Sequence, residues 1–129
     1  MVISGDTRPN ENLIRHAAGT DVLVHEVAAV RPELLEKSPT AAIARRILSF
    51  HSSPEDAGRV FVRVRPKLAV FTHVALLTTD RNLQPPTGAD VIRRTHMIYA
   101  GAVVLGEDLM TIDIGDKVEV RRFATTAPR

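Results

Sequence analysis

The sequence has no cysteine and no tryptophan, and aromatic side chains make up only 4% of it. Without thiols the chain can form neither a disulfide framework nor a thiolate metal site, so any bound metal must be held by His, Asp or Glu. No apolar run approaches the roughly 20 residues needed to span a bilayer. No charged start followed by an apolar core marks a signal peptide. We therefore expect a cytoplasmic protein without a membrane segment.

The composition is that of one small globular domain. The 129 residues are 44% hydrophobic and 25% charged, which is ordinary for a chain with a single core. A net charge of +2 is too small to predict nucleic-acid binding by itself. We predict one domain over residues 1–123 and a frayed tail over residues 124–129. The domain opens with a short strand that runs straight into a turn, as if entering the middle of a fold.

The clearest local pattern covers residues 50–73. Ser53 is typical of a helix N-cap, because a proline follows it and Asp56 completes a capping box. Apolar residues at helical spacing predict one buried face, formed by Ala57, Val60, Phe61 and Val64. Pro66 ends the helix because it has no N–H to donate. The apolar run after it predicts a buried strand over residues 68–71, with His73 just beyond its end.

The remaining elements are predicted from weaker patterns. Asn10 caps a helix over residues 11–18, and Ser38 caps a second one that has Pro39 at its first position. Residues 28–37 are predicted to form a polar connector. Residues 89–99 form a helix or, alternatively, a strand. The other predicted strands are residues 2–4, 22–24, 103–105, 109–114 and 118–122.

Polar residues follow three of the predicted strands, and these are the candidate site residues. Asp6 follows the first strand, the pair His25-Glu26 follows the second, and His73 follows residues 68–71. The fourth candidate, His51, lies between two helices. Ligands collect at strand ends in open α/β folds. Neighbours on a strand point to opposite faces, so at most one of His25 and Glu26 is expected to face a given site.

Two histidines and two carboxylates support two kinds of chemistry. They are the ligands of a zinc or manganese site, or a general acid/base pair in which Glu26 tunes His51. Each of these residues except His73 also has a plain structural role as an alternative. Asp6 would form an Asx-turn or a helix cap, His25 and Glu26 would be solvated strand ends, and His51 would be a capping or surface residue.

Several short motifs, taken in order, resemble the C-terminal half of the metallo-β-lactamase-fold hydrolases, and most closely the ribonuclease Z and arylsulfatase-like group. The tail Gly106-Glu107-Asp108-Leu109-Met110 with Ile114-Gly115-Asp116 is similar to the ends of arylsulfatase-like members. The other motifs are Gly5-Asp6-Thr7-Arg8-Pro9, Leu23-Val24-His25-Glu26-Val27, His51-Ser52-Ser53 and Phe71-Thr72-His73.

The resemblance implies a fold, a cofactor and residue roles. The family fold is an αββα sandwich, so we expect an α/β (α+β) fold that is half of it, a mixed β-sheet with helices packed on it. The family site holds two zinc ions. By resemblance Asp6 is the carboxylate that bridges the metals and His73 is the last histidine ligand. Glu26 and His51 relay a proton to the leaving group, and His25 is structural.

The chain departs from the family pattern in two ways. The His-x-His-x-Asp-His motif of the N-terminal half is absent, which removes most ligands of the second metal. The Phe-Ser-x-Arg signature expected after the last histidine is absent too, so tRNA 3′-end processing is not expected. The parent chemistry is hydrolysis of a phosphodiester, sulfate ester or related ester, on a small-molecule or phosphodiester substrate. We expect this chain alone to be inactive, because half of a sandwich leaves an open sheet edge and an unburied sheet face.

Two other functions are consistent with the sequence. A non-catalytic interaction module would form a homodimer through the exposed sheet. A nucleic-acid-binding domain would use Arg59, Arg63, Arg65 and Lys67. These side chains are more simply the solvated side of a helix, so nucleic acid is an unlikely partner.

Overall fold

The computed structural model describes residues 1–123. The predicted tail over residues 124–129 lies outside the described residues. The elements in chain order are β1 (Val2–Ile3), α1 (Glu11–Ala17), β2 (Val22–Ala29), α2 (Pro32–Glu36), α3 (Ala41–Leu48), α4 (Pro54–Val64), β3 (Leu68–Leu76), α5 (Gly88–His96), β4 (Val103–Leu105), β5 (Thr111–Ile114) and β6 (Val118–Arg121). None of these helices is long and apolar enough to cross a membrane.

The strands form a four-stranded sheet in the order β1-β2-β3-β4 and a separate two-stranded hairpin of β5 and β6. All neighbours in the larger sheet are parallel, and the hairpin is antiparallel. Parallel strands need crossover connections, which the helices supply. The α/β fold class is therefore confirmed, with the antiparallel pairing confined to the hairpin.

Alternate residues of the sheet pack into two different cores. On one face Leu23, Ala69 and Phe71 join the buried side of the helices in the main core. The buried face predicted for α4 is confirmed, and its members Ala57, Val60, Phe61 and Val64 are at most 1% exposed. On the other face Val22, Leu68 and Val70 pack against apolar residues of the hairpin region, namely Met110, Ile112, Val118 and Val120.

Helix α4 begins and ends as its sequence predicts. Ser53 caps it, with both hydrogen bonds of the capping box to Asp56 present. The helix ends at Val64, and Arg65 adopts a left-handed conformation (φ 54°) before Pro66. Thr87 and Asp90 form a second capping box at the start of α5, which settles the helix-or-strand alternative for that region in favour of a helix.

Several local predictions are wrong. Strand β2 continues to Ala29, so His25 and Glu26 lie inside it. The connector predicted over residues 28–37 instead contains the end of β2 and helix α2. Helix α3 starts at Ala41 with Thr40 in the cap position, and the Ser38 hydroxyl bonds to Asp80 Oδ2 at 2.8 Å.

Candidate functional site

A β-bulge in the centre of the sheet presents His73. Strand β3 continues past its predicted end to Leu76. In the pairing of β2 with β3, Glu26 faces Thr72 and Val27 faces Val74, so His73 is an extra residue without a partner. It has a positive φ of 44°, which is uncommon for a side chain other than glycine. Such bulges redirect a side chain, and they are frequent next to functional sites.

Asp6 reaches His73 from the loop after β1. Gly5 has a φ of +61°, a conformation that glycine adopts without strain and that turns the chain at the end of the strand. Asp6 Oδ1 then lies 3.0 Å from His73 Nδ1. Both side chains are more than half exposed, at 61% and 53%, so this pair faces solvent.

Glu26 lies on the neighbouring strand β2 and, unlike Asp6 and His73, it is fully buried. Its Oε1 accepts a hydrogen bond of 2.6 Å from the backbone N–H of Ser52. Its Oε2 lies 3.2 Å from His51 Nδ1. Burying a carboxylate is costly unless its oxygens have partners, and here both oxygens have one. The interpretation of Glu26 as a solvated strand end is therefore wrong.

His51 completes the arrangement from the loop between α3 and α4. Its backbone N–H donates to the carbonyl oxygen of Leu48 at 3.1 Å, which extends the end of α3 by one turn. The His51 ring lies 5.8 Å from the His73 ring, centroid to centroid. Glu26, His51 and His73 each offer one ligand atom within 4.8 Å of the other two. The structure thus brings Asp6, Glu26, His51 and His73 together, while their chemical roles stay a prediction.

His25 faces the opposite side of the strand, as the alternation of side chains predicts. Its ring packs edge-on against Phe61, with 5.9 Å between centroids. Its Nδ1 lies 2.7 Å from the carbonyl oxygen of Glu26, and its Nε2 has no partner in the described part of the chain. Burial lowers the pKa of His25. It is a core residue, so the interpretation of His25 as solvated is wrong too.

Sequence reasoning missed two further features of the site. Ser52 is fully buried, and its place in the His51-Ser52-Ser53 motif was the sequence signal that could have found it. A cleft of about 350 Å³ adjoins His73 between the sheet and the hairpin region. Its floor includes Val24, Val70 and Ile112, and Glu107 and Asp108 also line it.

The donor atoms fit part of a metal site. Asp6 and His73 are an exposed carboxylate and imidazole in contact, which suits a nitrogen- and oxygen-ligated cation such as zinc or manganese. Proximity of ligand atoms instead groups His73 with Glu26 and His51. Both oxygens of Glu26 already have partners, the His51 ring and the Ser52 N–H. A catalytic zinc usually has three protein ligands, and Asp6 with His73 would supply two.

The chain is similar in sequence to proteins named ribonuclease Z. No family model matches the chain. Ribonuclease Z of Mycobacterium sp. (strain KMS) is 31% identical over 121 residues, which cover 94% of this chain and 40% of that protein. Ribonuclease Z of Mycobacterium tuberculosis (strain ATCC 25618 / H37Rv) is 34% identical over 118 residues, which cover 88% of this chain and 39% of that protein.

Two other proteins extend the comparison. The mitochondrial ribonuclease Z 2 of Schizosaccharomyces pombe is 31% identical over 100 residues, covering 78% of this chain and 13% of its own length. Among solved structures, the metallo-beta-lactamase fold protein YhfI from Bacillus subtilis superposes with a TM-score of 0.58 at 13% identity. That superposition covers 82% of this chain and 36% of YhfI, and at this identity it shows the fold.

This chain spans about 40% of the length of the Mycobacterium relative it matches over 121 residues. The match nevertheless extends over 94% of the chain, and the structural superposition covers most of the same residues. The chain therefore has the metallo-β-lactamase fold, and its similarity to part of a ribonuclease Z supports a fragment of a metallo-β-lactamase-fold hydrolase.

Proposed function

We propose that this chain forms one wall of a metal-dependent hydrolase site. The observation that carries the proposal is the convergence of residues from four separate segments. Asp6 Oδ1 and His73 Nδ1 are 3.0 Å apart, Glu26 Oε2 and His51 Nδ1 are 3.2 Å apart, and the two histidine rings join the pairs at 5.8 Å. Functional residues cluster in this way at bulged strands.

Asp6 and His73 would hold the metal, which we propose is zinc. When bound, such a cation supplies a hydroxide nucleophile near neutral pH. These two side chains are suited to the task because they are exposed and in contact. Carboxylate oxygen and imidazole nitrogen are both ordinary zinc ligands in proteins.

Glu26 and His51 would carry the proton to the leaving group. His51 would donate its Nδ1–H to Glu26 Oε2, which leaves the Nε2 lone pair free to take up a proton and then to pass it to the leaving oxygen. Glu26 is fixed in turn by the Ser52 N–H. A carboxylate that holds the imidazole in one tautomer and one orientation is a common support for general acid–base catalysis.

The substrate class we propose is a phosphodiester, sulfate ester or related ester. The curated relatives are named ribonuclease Z, and RNA is a polymer of phosphodiesters. We therefore keep RNA among the candidate substrates, although the small net charge of +2 argues against strong nucleic-acid binding. Direct binding and cleavage assays decide between RNA and a small ester.

We further propose that the chain is inactive by itself. Asp6 and His73 give two side-chain ligands where a catalytic zinc usually has three. The relatives are longer, since the chain covers 40% of the one matched over 121 residues. A second polypeptide segment that covers the sheet would supply the other ligands. Ile3, on edge strand β1, is 62% exposed and lies where such a segment would pack.

The proposal is tested by calorimetric zinc titration together with a phosphodiesterase assay on bis(p-nitrophenyl) phosphate. We expect weak zinc binding and no turnover from the chain alone. Addition of the N-terminal part of the Mycobacterium ribonuclease Z should restore turnover, and His51→Ala should abolish it. Tight binding of two zinc ions to the chain alone would contradict the incomplete site. A stable dimer that binds no zinc would favour the interaction module.

A further inference from the structure

Ser52 connects the segments that carry the candidate site. It is fully buried, although it lies in the loop between α3 and α4. Its N–H donates to Glu26 Oε1 at 2.6 Å, and its hydroxyl donates to the carbonyl oxygen of Thr7 at 2.8 Å. Its own carbonyl oxygen accepts from the N–H of Ala28 at 2.9 Å. One residue thus joins strand β2, the loop after β1 and the loop that carries His51.

The position of Ser52 follows from the short length of β1. Pairing of β1 with β2 ends at Ile3, which faces Val24. Beyond that point the edge of β2 still presents backbone groups that need partners. The Glu26 N–H donates to the Ser4 hydroxyl at 3.4 Å, and the Ala28 N–H donates to the Ser52 carbonyl oxygen. The loop at Ser52 therefore continues the sheet edge where β1 stops.

We propose that Ser52 is a positioning residue that holds the Asp6 loop and the Glu26–His51 pair in one arrangement. The hydroxyl of Ser52 bonds to the residue directly after Asp6, and its N–H bonds to Glu26. A shift of either loop would separate Asp6–His73 from His51. Functional groups must be held to within about 0.5 Å by such supporting bonds.

The inference rests on the proposed function only for the reason that the loops need to be held. The hydrogen bonds of Ser52 can be tested without metal or substrate. The test compares the whole chain with Ser52→Ala and Ser53→Ala by NMR. Ser53→Ala is a matched control. It removes the side-chain cap of α4 at the neighbouring residue and leaves the hydrogen bonds of Ser52 in place. The readouts are the N–H order parameters of Asp6 and Thr7 and the cross-peak between the His51 and His73 rings.

We expect Ser52→Ala to lower the order parameters of Asp6 and Thr7 from about 0.85, typical of rigid backbone, to below about 0.6. The ring cross-peak should weaken at least twofold. Ser53→Ala should leave both readouts as in the wild type. Unchanged order parameters in Ser52→Ala, or the same loss in both variants, would overturn the proposal.

If Ser52→Ala does not fold, Ser52→Cys takes its place. Its thiol fills a similar volume but is a weak donor, so the same loosening of Asp6 and Thr7 is expected. A rigid Asp6 loop in that variant would overturn the proposal. Zinc binding and hydrolysis do not enter these readouts, so a failure of the proposed hydrolase function would appear separately, in calorimetry and turnover.

Discussion

His73 and Asp6 meet across the sheet edge, with 3.0 Å between Nδ1 and Oδ1. The contact depends on a turn after β1 and a bulge in β3. Gly5 in the turn and His73 in the bulge both have a positive φ. Two departures from regular backbone therefore produce one exposed carboxylate–imidazole pair. The left-handed backbone of His73 stores strain that the surrounding structure must offset.

Loss of either member of this pair is expected to remove zinc binding. His73→Ala and Asp6→Ala should each weaken zinc affinity by more than about a hundredfold, which exceeds the effect of losing an outer-shell partner. His16→Ala is the control, because His16 is an exposed histidine on α1. Calorimetric titration measures the effect. Equal zinc affinity in His73→Ala and the wild type would contradict the assignment.

Glu26→Ala is expected to destabilise the fold. The substitution leaves the buried N–H of Ser52 without its acceptor, and a buried unsatisfied donor costs about 1–3 kcal/mol. Urea unfolding monitored by circular dichroism measures the change. Glu36→Ala, at the exposed end of α2, should change the free energy of unfolding by less than about 0.5 kcal/mol. Equal effects in the two variants would show that the buried carboxylate contributes little.

The buried His25 is expected to make stability depend on pH. Burial lowers the pKa of His25 below its usual value of 6.5. Below pH 6.5 the unfolded chain therefore binds a proton that the folded chain excludes, so the free energy of unfolding falls as the pH falls towards the folded pKa. Above pH 6.5 the contribution is constant. This dependence amounts to at most about 1.4 kcal/mol per pH unit for one proton.

His25→Leu should reduce that slope when urea unfolding is measured between pH 7 and pH 5. His96→Gln is the control, because His96 lies on the partly exposed end of α5 and bonds to the carbonyl oxygen of Tyr99. A slope in His25→Leu that equals the slope in the wild type would mean that His25 is not the responsible group.

The cleft beside His73 is expected to require glycine at position 106. A Cβ added to Gly106 would lie 2.6 Å from the carbonyl oxygen of Phe71, and the Gly106 N–H donates to the same oxygen at 2.7 Å. Gly106→Ala should therefore lower stability by about 1–3 kcal/mol, as overpacked substitutions do. The control Gly115→Ala meets its nearest atom only at 4.0 Å and should lower the melting temperature far less.

Local sequence signals predicted some of this structure well. The capping box of Ser53 and the spacing of the apolar residues after it are contained within one helix, so both ends of α4 follow from the sequence. The Asn10 cap of α1 is local in the same sense. These features need no knowledge of what packs against them.

The lengths of β2 and β3 could not be predicted in the same way. Polar residues at positions 25 and 26 looked like the end of a strand, because the groups that satisfy them lie far along the chain. Glu26 is satisfied by Ser52 and His51, and His25 packs on Phe61. The bulge at His73 exists only in the pairing with β2. Local patterns named the candidate site residues but left all of them except His73 with a structural alternative, and the resemblance to a family proposed their roles.

The most direct test of the account is a crystal structure of the chain soaked in zinc, with anomalous data collected at the zinc edge. We predict an anomalous peak within bonding distance of Asp6 and His73, with Glu26 still bonded to the Ser52 N–H. A zinc ion coordinated by Glu26, or no zinc at His73 at saturating concentration, would contradict the central claim.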